Sequence, residues 1–434
     1  MKRSCHRGLR FFVCLLLAAL VSFLFSGCRT LEKAGNAPLL RALQAETAGE
    51  ELLAAARRDL GPTALLKYPI GGESSSPFFF WDVDGDGTQD VLVLYQNTAK
   101  SKNVQLALLR SGKEGWYAAH MDVEGMGGDV TDVRTAHLTP GADQLVICYQ
   151  DASGTGRTVC CYRWENGALR QTAACACQRY ALFDPDGDGL LQLAAVQQSN
   201  FFGLLQLTVL GFKAEDQWSA LQEQSSALLD ARFARCLYLS VEEADGKTAA
   251  IMDFQDGSGR CLGECMDWSG ERFVRCYVEE TGNIPNFTSR DFGGLLPSDV
   301  DGDGRTELPC VENRVLETGT AVRFCFVSWH RFSGRQTQRC GYSFVDLQER
   351  YRLMLPDSWY GRVVLQSDGG GVWSVRMVDD GQRLLSVCCK GLQETGGAYT
   401  DVGLLGTRRV WVLFADEVTE TERSVVTGGL QPLY

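Results

Sequence analysis

A glycine followed within two to four residues by a short apolar run recurs along this chain at an almost constant interval. The series reads "GTQDVLVLY" at Gly87, "GADQLVICY" at Gly141, "GLLQLAAV" at Gly189 and "GKTAAIMDF" at Gly246. It continues with "GRTELPCV" at Gly304, "GRVVLQ" at Gly361 and "GTRRVWVLF" at Gly406, the steps being 54, 48, 57, 58, 57 and 45 residues. Turns bearing Trp, Gly or both run in phase, at Trp116, Trp164, Trp218, Trp268 and Trp329. Packing between repeats is the expected use of these rings, ahead of stacking on sugars. A unit of about 50 residues has room for four short antiparallel strands, the content of a propeller blade. Seven starts predict an all-β, seven-bladed β-propeller over residues 63–434, with six blades and a trailing tail as the alternative. Only 28 residues follow Gly406, so a seventh blade needs a strand from elsewhere. "TALLKYPI", Thr63 to Ile70, is the expected donor, joining first and last blades and covering exposed edges.

Three of the turns are far more acidic than a solvated loop requires: "DVDGDGTQD" from Asp82, "DPDGDGLLQ" from Asp184 and "DVDGDGRTE" from Asp299. Acidic side chains alternate at positions 1, 3 and 5, with glycines at 4 and 6 allowing a sharp backbone path. Oxygen donors at such spacing suit Ca²⁺, which takes six to eight of them. The expected ligands are Asp82, Asp84, Asp86, the Thr88 carbonyl and Asp90 in the first loop. They are Asp184, Asp186, Asp188, the Leu190 carbonyl and Gln192 in the second, and Asp299, Asp301, Asp303, the Arg305 carbonyl and Glu307 in the third. Gln192 carries no charge, so the second loop is expected to be the weakest. An EF-hand needs a bidentate Glu at position 12, where this chain has Val93, Ala195 and Cys310. A dinucleotide loop needs a third glycine, replaced here by Asp90, Gln192 and Glu307. Acid–base chemistry is the rival use of these carboxylates, and a group committed to a cation makes a poor proton shuttle.

The phrases "WDVDGDGTQDVLVLY", "LFDPDGDGLLQLAAV" and "FGGLLPSDVDGDGRTELPCV" resemble the FG-GAP/VCBS repeats of bacterial surface proteins and integrin α-subunit propellers. The resemblance implies up to three structural calcium ions and partner binding through surfaces elsewhere. Two of the remaining turns, "LTPGADQL" and "LPDSWYGR", lack the triad, while "VEEADGKT" keeps Glu243 and Asp245 but has Ala249 at position 9.

Lys2, Arg3, Arg7 and Arg10 precede 15 apolar residues from Phe11. That run is short of the roughly 20 a spanning helix needs and is built like a secretory signal. It ends in "FSGC", which resembles the bacterial lipoprotein box. The boundaries that follow are a signal over 1–27, lipid attachment at Cys28, and a lipidated helical spacer over 28–62 that stops at Gly61-Pro62. An unlipidated secretory signal and a short uncleaved anchor are the alternatives. No later segment is expected to span a bilayer, and the protein is expected to be exported and held at the cell surface.

A net charge of −12 argues against nucleic acid and anionic lipid as partners. Of 17 cysteines, two lie in the signal and one at the lipid site. The other 14 sit mostly in apolar runs such as "TVCCYRW" and "RFCFVSW", where buried free thiols are expected ahead of disulfides. No C-x2-C…C-x2-C spacing is present, so thiolate metal binding is not expected. Beyond the signal only His120, His137 and His330 remain, none in a catalytic motif, and no catalytic residue is singled out. The sequon at Asn286 is discounted in a bacterial lipoprotein. Two functions stay open: a surface scaffold binding a protein or cell-wall glycan, and a carbohydrate-active enzyme of the polysaccharide-lyase kind. The second asks for a basic groove, and basic clusters are few, at Arg335 and Arg408.

Overall fold

The computed structural model describes residues 49–433, except 73, 152, 155, 201–202, 213–220, 245, 279–281, 292, 313–323 and 392–397. The signal, Cys28 and the first part of the spacer lie outside the described residues, as do Trp218, Asp245 and Phe292. Among the described residues no helix is long and apolar enough to cross a membrane. The chain is all-β and of the propeller type, a succession of antiparallel sheets of four or five strands. It divides into two compact units, residues up to Gly125 with Trp164–Leu169, and Met126–Arg163 with Arg170 onward.

The first unit holds a helix over residues 49–60 and the first sheet. The helix ends where Gly61 takes φ +86°, a conformation only glycine adopts at little cost. Leu52 and Ala55, three apart on one face, bury against Val91, Val93, Ala107 and Leu109 of the sheet. Asp59 accepts the Ala118 N–H at 2.8 Å and Arg58 donates to the Trp116 carbonyl at 2.7 Å. These bonds tie the end of the helix to the outer strand Gly115–Glu124.

Within this sheet Asp90–Asn97 has two partners on one side. Phe78–Trp81 pairs with Asp90–Val93, and Ala64–Leu66 pairs with Tyr95–Asn97. Thr63–Ile70 therefore adds its strand to the first sheet, not to the last as the ring-closing expectation had it.

The second unit carries the remaining sheets, except for the hairpin end Trp164–Leu169 of the second sheet. The second runs from Asp129 to Cys177, the third from Arg179 to Leu228, and the fourth from Phe233 to Arg275. The fifth runs from Leu308 to Met354 and the sixth from Val363 to Phe414. Six sheets are thus present among the described residues, the count of the six-bladed alternative. The glycine series explains the difference: Gly361 leads into Val363–Gly369 and Gly406 into Arg408–Phe414, both in the sixth sheet. A short hairpin turn inside one sheet had the same spelling as a repeat start.

The trailing segment folds back. Thr419 and Glu422 form a capping box on the helix Glu420–Gly428. Leu430–Pro432 then pairs with Tyr351–Leu353 as a fifth strand on the fifth sheet.

All fourteen described cysteines are unbridged and twelve are buried, in line with thiols used as small apolar side chains. Two of the described repeat tryptophans pack as expected. Trp329 is fully buried, and Trp268 meets Phe183 edge-on with ring centroids 5.6 Å apart.

Candidate metal loops and an adjoining cleft

The three acidic loops have one internal design. The position-1 carboxylate accepts the N–H groups of positions 4 and 6. Asp82 takes Gly85 and Gly87, both at 2.9 Å; Asp184 takes Gly187 at 2.9 Å and Gly189 at 2.8 Å. Asp299 takes Gly302 at 2.7 Å and Gly304 at 2.9 Å. The position-5 carboxylate accepts the N–H of position 7, from Thr88, Leu190 and Arg305 at 2.7, 2.8 and 3.0 Å. Glycines at φ +73° and +82° in the first loop set these N–H groups inward.

Each triad brings its oxygens together as the spacing predicts. Donor atoms of Asp82, Asp84 and Asp86 lie within 4.8 Å of one another, as do those of Asp184, Asp186 and Asp188, and of Asp299, Asp301 and Asp303. Calcium takes carboxylate oxygens at about 2.3–2.6 Å, so the donor type suits that ion.

At position 9 the two carboxylates are engaged by the protein's own donors. Asp90 and Glu307 are 1% and 0% exposed. Each turns back to the N–H of position 2, Val83 at 3.3 Å and Val300 at 3.0 Å. Each also meets an arginine from the next strand. Arg110 reaches Asp90 at 3.0 Å, Asp84 at 2.8 Å and Asp86 at 3.2 Å. Arg331 reaches Glu307, Asp303 at 3.0 Å and Asp301 at 3.7 Å. Burial pushes the carboxyls of Asp90 and Glu307 upward, against the pull of their backbone and arginine partners.

Sheet register explains why the second loop needs no such partner. Val91 pairs with Leu109 and Leu308 with His330, so Asp90 and Glu307 face Arg110 and Arg331 one step along. Leu193 pairs with Leu210, which sets Gln192 opposite Gly211. A Cβ on Gly211 would meet the Gln192 side chain at 3.3 Å. Acid opposite arginine in the first and third loops becomes amide opposite glycine in the second. Four carboxylates less one guanidinium match three carboxylates, so Gln192 does not leave its loop poorer in net charge. Burial raises Asp184, and the backbone N–H groups of Gly189, Gly187, Asp186 and Asp188 together hold it below the usual carboxylate range. The arginines escaped the sequence reading because they lie 20 and 24 residues away, visible only once register is known.

Neighbouring strands fix the loops of the second unit. Trp268 donates to the Pro185 carbonyl at 3.1 Å, and Glu242 accepts the Thr306 N–H at 2.8 Å.

Beside the third loop, a cleft of about 540 Å³ opens between the fourth and fifth sheets. Its walls include Glu242, Lys247, Asp267, Arg305, His330 and Arg335. His330 hydrogen-bonds Thr337 at 3.2 Å and Ser328 at 3.1 Å, and burial followed by the charge of Arg339 pushes it down to about 4. The imidazole is therefore neutral at pH 7. His120 and His137 lie elsewhere, His137 against Asp143 at 3.0 Å. His120 accepts the Leu169 N–H at 3.1 Å.

No family model matches the chain, and no curated protein does. Among solved structures it is similar to a 6-phosphogluconolactonase-like protein of Bacteroides fragilis, at 12% identity over 74% of this chain and 92% of that one, TM-score 0.31. The periplasmic gluconolactonase PpgL of Pseudomonas aeruginosa gives 14% identity over 71% and 84%, TM-score 0.32. The exotype rhamnogalacturonan lyase YesX gives 13% over 70% and 60%, TM-score 0.27. At these values nothing about activity passes from them to this chain.

Proposed function

We propose that the protein is an exported, lipid-anchored scaffold whose propeller-type sheets are braced by calcium in FG-GAP/VCBS-like loops, and that it binds a protein or glycan of the cell envelope. The observation that carries this reading is the repeated grouping of three aspartates, with the same position-1 and position-5 backbone bonds, in three separate turns. Calcium would be held by Asp82, Asp84 and Asp86, by Asp184, Asp186 and Asp188, and by Asp299, Asp301 and Asp303. The ion supplies charge neutralisation, and the loops supply the hard oxygens. In the first and third loops it competes with a guanidinium already bonded to positions 3 and 5. The second loop has no such competitor and is the strongest of the three.

The test is a thermal melt of the detergent-purified full chain in millimolar calcium and in chelator. A site of about 10⁻⁴ M at about 1 mM calcium adds roughly 1.4 kcal/mol. Asp186→Ala is expected to remove the largest share of the calcium-dependent rise in Tm, and Asp84→Ala and Asp301→Ala smaller shares. Identical melts with and without calcium in a chelator-stripped sample would sink the brace.

One observation favours a second reading, an enzyme acting on an acidic polysaccharide. Lys247, Arg305 and Arg335 line the same cleft as the neutral His330, alongside Glu242 and Asp267, and these cations would hold uronate carboxylates. A lyase would release unsaturated uronate ends, read by their ultraviolet absorbance on polygalacturonate. No release by the wild-type chain in calcium leaves the scaffold reading in place.

A further inference from the structure

The hairpin of the fourth sheet brings together three metal-binding side chains that the sequence keeps apart. Cys265 and Asp267 sit two residues apart on Cys261–Trp268, so their side chains share one face. Cys276 follows the returning strand Phe273–Arg275, and its N–H donates to the Cys265 carbonyl at 2.9 Å. The two Sγ atoms lie 3.6 Å apart. Donor atoms of Cys265, Cys276 and Asp267 are all within 4.8 Å of one another. We propose that Cys265, Cys276 and Asp267 form a zinc site that opens onto the cleft between the fourth and fifth sheets.

Distance, donor type and access support this independently of the calcium loops. Two thiolates bound at about 2.3 Å to a tetrahedral zinc stand roughly 3.8 Å apart, close to the separation observed. A disulfide needs its sulfurs at about 2.0 Å. Thiolates select zinc and other soft ions, whereas calcium and magnesium take oxygen. Three protein ligands leave a tetrahedral ion one position for water or a ligand. Cys265 and Asp267 both line the cleft from which that fourth group would come. The second shell is in place: the Gly334 N–H donates to Asp267 Oδ2 at 2.7 Å, which orients the carboxylate. The same residue's carbonyl accepts the Tyr277 N–H at 2.7 Å, fixing the strand beside Cys276. Binding releases one proton from each thiol to solvent. Three ligand charges against two on the metal leave a net negative centre, and Lys247, Arg305 and Arg335 lie along the same cleft.

Spacing hid the site. The donors read C-x-D and then a cysteine nine residues on, a pattern with no finger-like repeat, and only strand pairing closes it.

The experiment is a cobalt titration of the reduced full chain under anaerobic conditions, followed by displacement with zinc. Thiolate-to-cobalt charge-transfer absorption should saturate at one equivalent and bleach on adding zinc; the aspartate triads give no such absorption, and Cys340, whose thiol lies near Asp301 and Glu307, is the control. It should vanish in Cys276→Ser, persist in Cys340→Ser, and need at least about tenfold more metal in Asp267→Asn. Zinc should also shield Cys265 and Cys276 of the wild-type chain from alkylation, read by peptide mass spectrometry, which keeps the test decisive if Cys276→Ser does not fold. No charge-transfer absorption, absorption that survives in a folded Cys276→Ser, or alkylation unaffected by zinc would each overturn the site.

Discussion

His330 has both ring nitrogens in hydrogen bonds to hydroxyls and an edge-on contact with Phe287 at 5.0 Å. Burial first, and the Arg339 charge second, set its pKa at about 4, below the unfolded value of about 6.5. The unfolded chain therefore binds the extra proton first as pH falls. The stability this histidine contributes is complete above about 6.5 and is lost on the way down to about 4, a change on the order of 3 kcal/mol. Urea unfolding at pH 7 and pH 4.5 should show H330Q losing clearly less stability between the two than the wild type. Parallel losses in both chains would show that His330 is not the group responsible.

At the scale of the strand pair, the position-9 residues supply a natural double-mutant comparison. Asp90 is buried and faces Arg110, while Gln192 faces Gly211 with no charge on either side. Removing one partner of a buried ion pair costs about 3–5 kcal/mol because the other charge is stranded, while replacing both can be nearly neutral. Arg110→Ala should therefore destabilise the chain by on the order of 3 kcal/mol, and Asp90→Asn with Arg110→Ala by about 1 kcal/mol. Simple additivity in chemical denaturation would mean that Arg110 acts by packing alone. The same strands mark what a sequence can and cannot convey. Aspartates at positions 1, 3 and 5 are local, and glycines at 4 and 6 dictate the backbone that points them inward, so each triad was legible. The partners of position 9 depend on register across a hairpin, and register is set by side chains distributed along both strands. Repeat counting gave seven starts for the six sheets of the described residues for a related reason: Gly361 and Gly406 have the same local spelling, but both lead into strands of one sheet. Ala64–Leu66 was legible as a strand, but its pairing with Tyr95–Asn97 was not, because nothing within three residues names a partner.

At the scale of the whole molecule, the C-terminal segment reinforces two sheets of the second unit that also meet directly, Phe324 of the fifth lying against Trp373 of the sixth with ring centroids 4.1 Å apart. Val426 is buried in a cluster with Leu353 and Leu355 of the fifth sheet's side and Leu385 and Val412 of the sixth. Glu422, besides capping its own helix, accepts the Trp359 indole N–H at 2.9 Å and the Ser358 hydroxyl at 2.8 Å. Leu430–Pro432 covers the edge of Tyr351–Met354, an edge that would otherwise offer unpaired backbone groups to another chain. A chain ending at Asp416 loses all three contacts at once. Hydrogen exchange should then show amides of Tyr351–Met354 and Arg408–Phe414 losing protection, while Gln144–Gln150 in the second sheet keeps its own, since local opening follows cooperative units. Val426→Ala, which leaves the strand pairing intact, should cost about 1–3 kcal/mol and weaken protection in the same two segments. Unchanged exchange at Tyr351–Met354 in the shortened chain would mean the latch contributes nothing. An equal loss across Gln144–Gln150 would mean that the second unit opens as a single body.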